Sequence, residues 1–140
     1  MTAATRIALS LAVALLPGVT ACHWGGRPET FPPALSPVGA RVSLRVRGES
    51  ADRAGELYAV DTAGVIVRGA RLTRIRWPVL AALDVEGLGR RFDVPSGTTT
   101  VATDHRERLA TVSRFPQGLS GELLTRVLAR LGQDTLEEVR

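Results

Sequence analysis

The chain has 140 residues and a formal net charge of +4 at neutral pH, and all 18 of its basic residues are arginine. This length fits one small domain, and a single cysteine excludes an internal disulfide and a cysteine-rich metal site. Because the positive excess is small, the charge balance argues against a nucleic-acid binder. We therefore predict no cofactor, no metal and no nucleic-acid partner.

The first residues have the order of an export signal. A short segment carrying Arg6 is followed by an uncharged and mostly apolar stretch over residues 7–19, and small residues then lead to Cys22. This order is typical of a secretory signal peptide. A signal helix over the apolar stretch would span roughly 20 Å, short of the roughly 30 Å hydrocarbon core of a bilayer. A permanent transmembrane helix is therefore not expected.

The tetrad Val-Thr-Ala-Cys that ends at Cys22 resembles the lipobox of bacterial lipoproteins. The resemblance implies that the thiol of Cys22 receives a diacylglycerol and that the signal is removed just before this residue. Two or three acyl chains would hold a small domain at a membrane almost permanently, because each buried methylene contributes about 0.8 kcal/mol. The alternatives are an ordinary secretory signal with a chance cysteine, or a structural thiol in a cytosolic protein.

The composition divides the chain into three parts. Residues 1–21 form the predicted signal, residues 22–39 form a tether rich in proline and glycine, and residues 40–140 form a single globular domain. His23 follows the cysteine at a position where aspartate suggests inner-membrane retention in many two-membraned bacteria. The lipoprotein resemblance therefore implies a cell-envelope protein facing the periplasm or exterior, with the outer membrane favoured where the organism has one.

The first half of the domain has the period-two pattern of half-buried strands. Five strands are predicted, over residues 41–47, 55–60, 65–69, 71–77 and 82–86. Pro78 ends the fourth strand because proline cannot donate to a strand ladder. Four residues beginning with Asp61 form the predicted turn of a hairpin between the second and third strands. We expect residues 87–97 to be irregular and Val101 to belong to a further edge strand.

The second half of the domain predicts two helices. Asp104 and Glu107 have the spacing of a capping box, which predicts a helix over residues 104–114. Its inward face would carry His105 beside two apolar residues. A second helix is predicted over residues 121–131, with a leucine-rich face that is too apolar to leave in water.

The ends of the second helix carry capping signals of their own. Ser120 is expected to cap its first turn, and Gly132 stands where a glycine commonly ends a helix. Asp134 and Glu137 suggest one further helical turn close to the end of the chain. For the leucine-rich face we favour packing against the rest of the domain, and the alternative is a docking surface for a partner or a second copy.

The strand region also resembles a known family. Gly55, Leu57 and Asp61 have spacings similar to those of the first Sm motif, within five short hairpin-linked strands over residues 41–87. The resemblance implies an α+β fold in which a small Sm-like β-barrel, or another curled antiparallel sheet, precedes the two C-terminal helices. The RNA pocket of that family uses an asparagine four residues after the aspartate, whereas this chain has Val65. The RNA-binding function of the family is therefore not expected here.

Residues suited to catalysis are few. The domain has one histidine, His105, and a histidine on an apolar helix face more often belongs to the core than to an active site. Asp84 and Glu86 share one strand face, as a pair of acid–base carboxylates would, although two solvated acids explain them better. We therefore predict a non-catalytic binding or structural domain whose envelope protein partner the sequence does not identify. The alternative is a hydrolase or transferase that uses these carboxylates and His105.

Four arginines are candidates for binding anions. Arg45 and Arg47 lie at outward positions of the first predicted strand, and Arg74 and Arg76 lie at outward positions of the fourth. Guanidinium groups gathered on one exposed face would bind phosphate, an anionic glycan or a lipid head group. A solvated arginine-rich strand face, in a chain without lysine, is the simpler alternative.

Overall fold

The computed structural model describes residues 38–89 and 91–140 of the chain. The predictions for the signal helix, for Cys22 and for most of the tether lie outside these residues. The strands are β1 (Arg41–Val46), β2 (Arg53–Val60), β3 (Gly64–Arg68), β4 (Leu72–Arg76), β5 (Leu80–Val85), β6 (Arg91–Asp93) and β7 (Glu137–Val139). The helices are α1 (Thr103–Thr111) and α2 (Gly121–Arg130), and a short 3-10 turn joins β4 to β5 over Trp77–Val79.

The strands form one curled sheet in the order β6-β5-β1-β2-β3-β4-β7. All neighbouring strands are antiparallel except the parallel pair of β4 and β7. A curled, mostly antiparallel sheet with two helices confirms the predicted α+β class. The five predicted strands correspond to β1–β5, and the 3-10 turn begins where Pro78 was expected to end β4.

The main core lies on one face of the sheet. Alternation along β1 buries Val42, Leu44 and Val46 and leaves Arg41 and Arg45 exposed, as the period-two pattern predicted. The core also takes in the tryptophan of the 3-10 turn and two residues at the end of α1, and its largest buried members are Trp77, Leu44, Leu57, Ile75, Leu80, Leu83 and Leu109. Helix α1 therefore contributes to the core formed by the inward face of the sheet.

Helix α2 covers the opposite face of β2, β3 and β4. Leu128 is buried against Tyr58, Ile66 and Leu72, and further apolar residues of α2 pack around them. Since β2 and β3 are covered on both faces, neighbouring residues along these strands are buried without alternation. The leucine-rich face of α2 thus packs inside the domain, although Leu123 lies outside this second cluster.

The ends of α2 confirm two predictions and contradict a third. The Ser120 hydroxyl accepts a hydrogen bond from the amide of Leu123 at 3.4 Å, and Gly132 has a positive φ of 64°. The helical turn predicted near Asp134 is wrong, because residues from Glu137 onward form strand β7 beside β4.

The capping-box prediction for α1 is also wrong. The helix begins at Thr103 behind Ala102, which provides no side-chain cap, so Asp104 lies within the first turn. A carboxylate there is stabilised by the helix dipole without acting as a cap. His105 is exposed, which contradicts its predicted place on the inward face, whereas Leu109 on the same helix is buried. Val101 belongs to no strand, and the additional edge strand is β6, within the stretch expected to be irregular.

The hairpin turn between β2 and β3 depends on two residues. The carboxylate of Asp61 accepts hydrogen bonds from the amides of Ala63 and Gly64 at 2.8 and 2.9 Å. A β-carbon added to Gly64 would lie 2.1 Å from the carbonyl oxygen of Ile75, so only glycine fits between the strands at this position. The aspartate and glycine of the predicted turn therefore have separate physical roles.

The start of the domain is bonded to both the sheet and the segment after α1. The amide of Gly39 donates to Glu56 Oε1 at 2.7 Å, and the amide of Ala40 donates to the carbonyl of Val112 at 2.8 Å. Arg114 Nη1 reaches the same Glu56 oxygen at 3.3 Å. Residues just before β1 are thus part of the folded structure.

Candidate functional site

Three of the four candidate anion-binding arginines lie on two strands that are not neighbours in the sheet, and Arg47 follows directly after β1. β2 and β3 separate β1, which carries Arg45, from β4, which carries Arg74 and Arg76. Arg45 bonds to the carboxylate of Asp52 and thereby lowers the pKa of that acid. Arg76 is exposed and makes no side-chain hydrogen bond or ion pair with the described residues.

The other two arginines hold parts of the fold together. Arg74 lies between two acids, with Asp61 Oδ2 2.9 Å from Nη2 and Glu138 Oε1 3.0 Å from Nη1. Hydrogen bonds from Arg140 and from Arg74 lower the pKa of Glu138. The guanidinium of Arg47 donates to backbone carbonyls of the 3-10 turn, of β5 and of the segment after β6. Three of the four guanidinium groups are thus already engaged, and anion binding by this set stays a prediction.

The two acids that were considered as an acid–base pair, Asp84 and Glu86, lie at a different place from the histidine of the domain. Asp84 Oδ2 is 3.5 Å from Arg91 Nη1, and Glu86 is exposed just beyond the end of β5. Both acids border a shallow depression that is also lined by Arg41 and Arg91. The lining of the pocket that contains His105 includes neither of them.

A pocket of about 350 Å³ lies between β6, the segment that follows it and helix α1. Its floor is apolar and consists of Trp77, Leu83 and Leu109, which belong to the main core. The indole nitrogen of Trp77 donates to the carbonyl of Thr62 at 3.1 Å, which fixes the ring in place. The floor of this pocket therefore provides no free hydrogen-bonding group from the indole.

The wall and rim of the pocket are aromatic and charged. Phe92 of β6 and His105 of α1 form an edge-to-face pair with ring centroids 5.9 Å apart. Arg91, Asp93 and Arg108 also line the pocket, together with threonines and a proline of the segment that follows β6. The arrangement of an apolar floor and a few polar groups is typical of small-molecule sites.

The alternative hydrolase or transferase would need a carboxylate partner beside His105. The histidine lies in a pocket, but the only acid recorded as its ion-pair partner within the described chain is Asp104, with Oδ2 3.8 Å from Nε2. That distance exceeds a hydrogen bond, so no carboxylate is seen to orient the imidazole as a base. No group of three or more potential metal ligands occurs among residues 38–89 and 91–140.

The sequence did not predict two features that form the pocket. The first is strand β6, which places Phe92 on the pocket wall. This strand has only three residues, which is too short for a period-two pattern to be recognised in the sequence. The segment from Thr98 to Ala102 closes one side of the pocket although its composition suggested only an edge strand. The spacing of His105, Arg108 and Leu109 on one helix face was the signal available in the sequence.

Comparison with known proteins adds no relative: the chain matches no protein-family model, no curated protein and no solved structure. Within the described residues, none of the helices is both long enough and apolar enough to cross a membrane.

The absence of a polar group at the position of the Sm-family asparagine leads to a first prediction. Val65 is completely buried, so this part of β3 presents no hydrogen-bonding side chain to a base. We expect the chain, despite its pI near 10.8, to bind RNA oligonucleotides weakly, without sequence preference and with an affinity that falls steeply with salt. Fluorescence anisotropy at two salt concentrations measures this, and a salt-resistant complex with one defined oligonucleotide would contradict the prediction.

Proposed function

We propose that the chain is a lipid-anchored protein of the bacterial cell envelope that carries a small, non-catalytic binding domain. The apolar stretch, the small residues and Cys22 support the anchor. The observation that carries the binding role is the pocket beside His105, which has an apolar floor and charged rim but no hydrogen-bonded acid–base pair. The proposed place of the protein is the periplasmic or outer face of a membrane, with the outer membrane favoured where there is one.

We further propose that strands β1–β5 form an Sm-like small barrel. Three consecutive antiparallel pairs join β1 to β2, β2 to β3 and β3 to β4, and β5 then returns to pair with β1. This return supports the proposal because it places β5 and β4 at opposite ends of the five-strand order, and a barrel would close where the two ends of such a curled sheet meet. Strands β6 and β7 extend the sheet beyond these five at its two edges.

The anchor leads to a second prediction. Cys22→Ser should abolish incorporation of a palmitate analogue, because serine has no thiol to receive the diacylglycerol. Metabolic labelling followed by gel fluorescence measures the incorporation, and the variant should either be released from the membrane or keep its signal. Thr20→Ser, which keeps both the small residue and the cysteine, is the matched control and should be labelled like the parent chain. Equal labelling of the parent and Cys22→Ser would refute the anchor.

A further inference from the structure

We infer that the pocket beside His105 binds a small amphipathic carboxylate, with its apolar body on the floor and its carboxylate at Arg108. This inference rests on the proposed binding role and names the class of ligand, and it does not depend on the lipid anchor. It is supported by the size of the pocket, by the charge of its rim and by one arginine without a partner. The floor argues against a sugar, and the charge of the rim argues against a phosphate group.

The size and floor of the pocket define the apolar part of the ligand. About 350 Å³ is near the lower end of the range of roughly 300–1,000 Å³ found for small-molecule sites, so the ligand has few atoms. Trp77, Leu83 and Leu109 offer no free polar side-chain group to the pocket, because the indole nitrogen of Trp77 already donates to Thr62. A short alkyl chain or a single aromatic ring satisfies such a floor, whereas a sugar would leave its hydroxyl groups unpaired.

The charges on the rim define the polar part of the ligand. Arg91 Nε is bonded to Asp93 Oδ1 at 3.1 Å, so this arginine and this acid neutralise each other. The guanidinium of Arg108 has no hydrogen-bond or ion-pair partner among the described residues. Apart from His105, the described lining therefore has two cations and one anion, a net charge of +1. A single negative charge balances this rim, whereas a phosphate group would bring more charge than the rim neutralises.

The chemistry of arginine favours a carboxylate as that single charge. A guanidinium group presents two parallel donors that match the two oxygens of a carboxylate. Arg108 and Leu109 are adjacent in α1, with Leu109 on the floor and Arg108 exposed at the rim. One ligand can therefore contact both residues if its apolar body and its carboxylate are only a few bonds apart.

The fluorescence of Trp77 provides a direct test. In the full chain with Trp24→Phe, Trp77 is the only tryptophan, and the titrations are made in micelles of a zwitterionic detergent, which keep the chain in solution with or without an acyl anchor. Titration with hexanoate should change the emission of Trp77 saturably. Hexanol, which has no charge, and inorganic phosphate, which has no apolar body, should each bind at least about tenfold more weakly, because each lacks one half of the proposed contact.

Substitution of Arg108 tests the assignment of the charge. Arg108→Gln should weaken hexanoate binding about tenfold or more and leave the response to hexanol unchanged, because only the carboxylate contact is lost. Arg130→Gln is the matched control, since Arg130 is another exposed helical arginine without a side-chain partner in the described chain, and it lies outside the pocket. No saturable response to hexanoate, equal affinity for hexanol, or equal effects of the two substitutions would each overturn the inference. Palmitate labelling does not depend on the pocket, so the anchor and the ligand can fail independently.

Discussion

Leu128→Ala should lower the free energy of unfolding by about 2–5 kcal/mol, enough to unfold a domain of marginal stability at moderate temperature. Leu128 is 7% exposed and packs against Tyr58, Ile66 and Leu72 on the face of the sheet opposite the main core. Its truncation removes buried methyl groups and leaves a cavity between α2 and the sheet. Urea denaturation of the full chain, followed by far-UV circular dichroism, measures the change.

Leu123→Ala is the matched control for this substitution. Leu123 lies on the same helix and undergoes the same chemical change, but it is partly exposed and does not belong to the cluster around Leu128. We expect the control to cost about 1 kcal/mol or less, in the range of substitutions away from a core. If Leu128→Ala left the unfolding curve unchanged but dissociated a dimer or a complex, the face of α2 would belong to a partner rather than to the domain.

Gln133→Leu should destabilise the domain by roughly 2–6 kcal/mol, because two buried backbone groups of Leu72 lose their partner at about 1–3 kcal/mol each. Gln133 is 6% exposed, its Oε1 accepts from the Leu72 amide at 2.9 Å, and its Nε2 donates to the Leu72 carbonyl at 2.8 Å. The side-chain amide thus forms with Leu72 the two hydrogen bonds that a backbone peptide group of a neighbouring strand would form. From Thr73 onward, β7 provides this pairing with its own backbone. Thermal and urea unfolding of the variant measure the loss.

Gln117→Leu separates this effect from a general cost of adding an apolar side chain. Gln117 is exposed in the loop before α2, and its replacement should change the free energy of unfolding by no more than about 0.5 kcal/mol. Gln133→Glu adds a second comparison, because glutamate keeps the acceptor for the Leu72 amide but loses the donor to its carbonyl. Similar unfolding curves for Gln133→Leu and Gln117→Leu would show that the buried amide contributes little.

The sequence predicted the central strands because their patterns have direct physical causes. The alternation along β1 reflects one buried face, and the aspartate and glycine of the β2–β3 turn are needed for its hydrogen bonds and its close approach. Helix α2 was predicted because Ser120 and the leucine spacing act locally. These elements depend on residues close to one another in the chain.

The elements that the sequence did not predict depend on distant residues. Strand β7 has a short acidic sequence without alternation. It pairs with β4, and the side chain of Gln133 hydrogen bonds to Leu72 at the start of the same strand. His105 contacts the ring of Phe92, which lies on a strand that was not predicted. The pocket could not be foreseen for the same reason, since one of its walls is β6 and its floor comes from three separate elements.

The position of β1 determines how the domain would respond to a mechanical load. β1 follows directly from the residues bonded to Glu56 and Val112, and it lies between β2 and β5 rather than at an edge of the sheet. A pull on the chain that precedes the domain is therefore delivered to a central strand, which is held by two ladders at once. Extracting β1 requires hydrogen bonds to both β2 and β5 to break, whereas each of the short edge strands β6 and β7 is paired with a single neighbour.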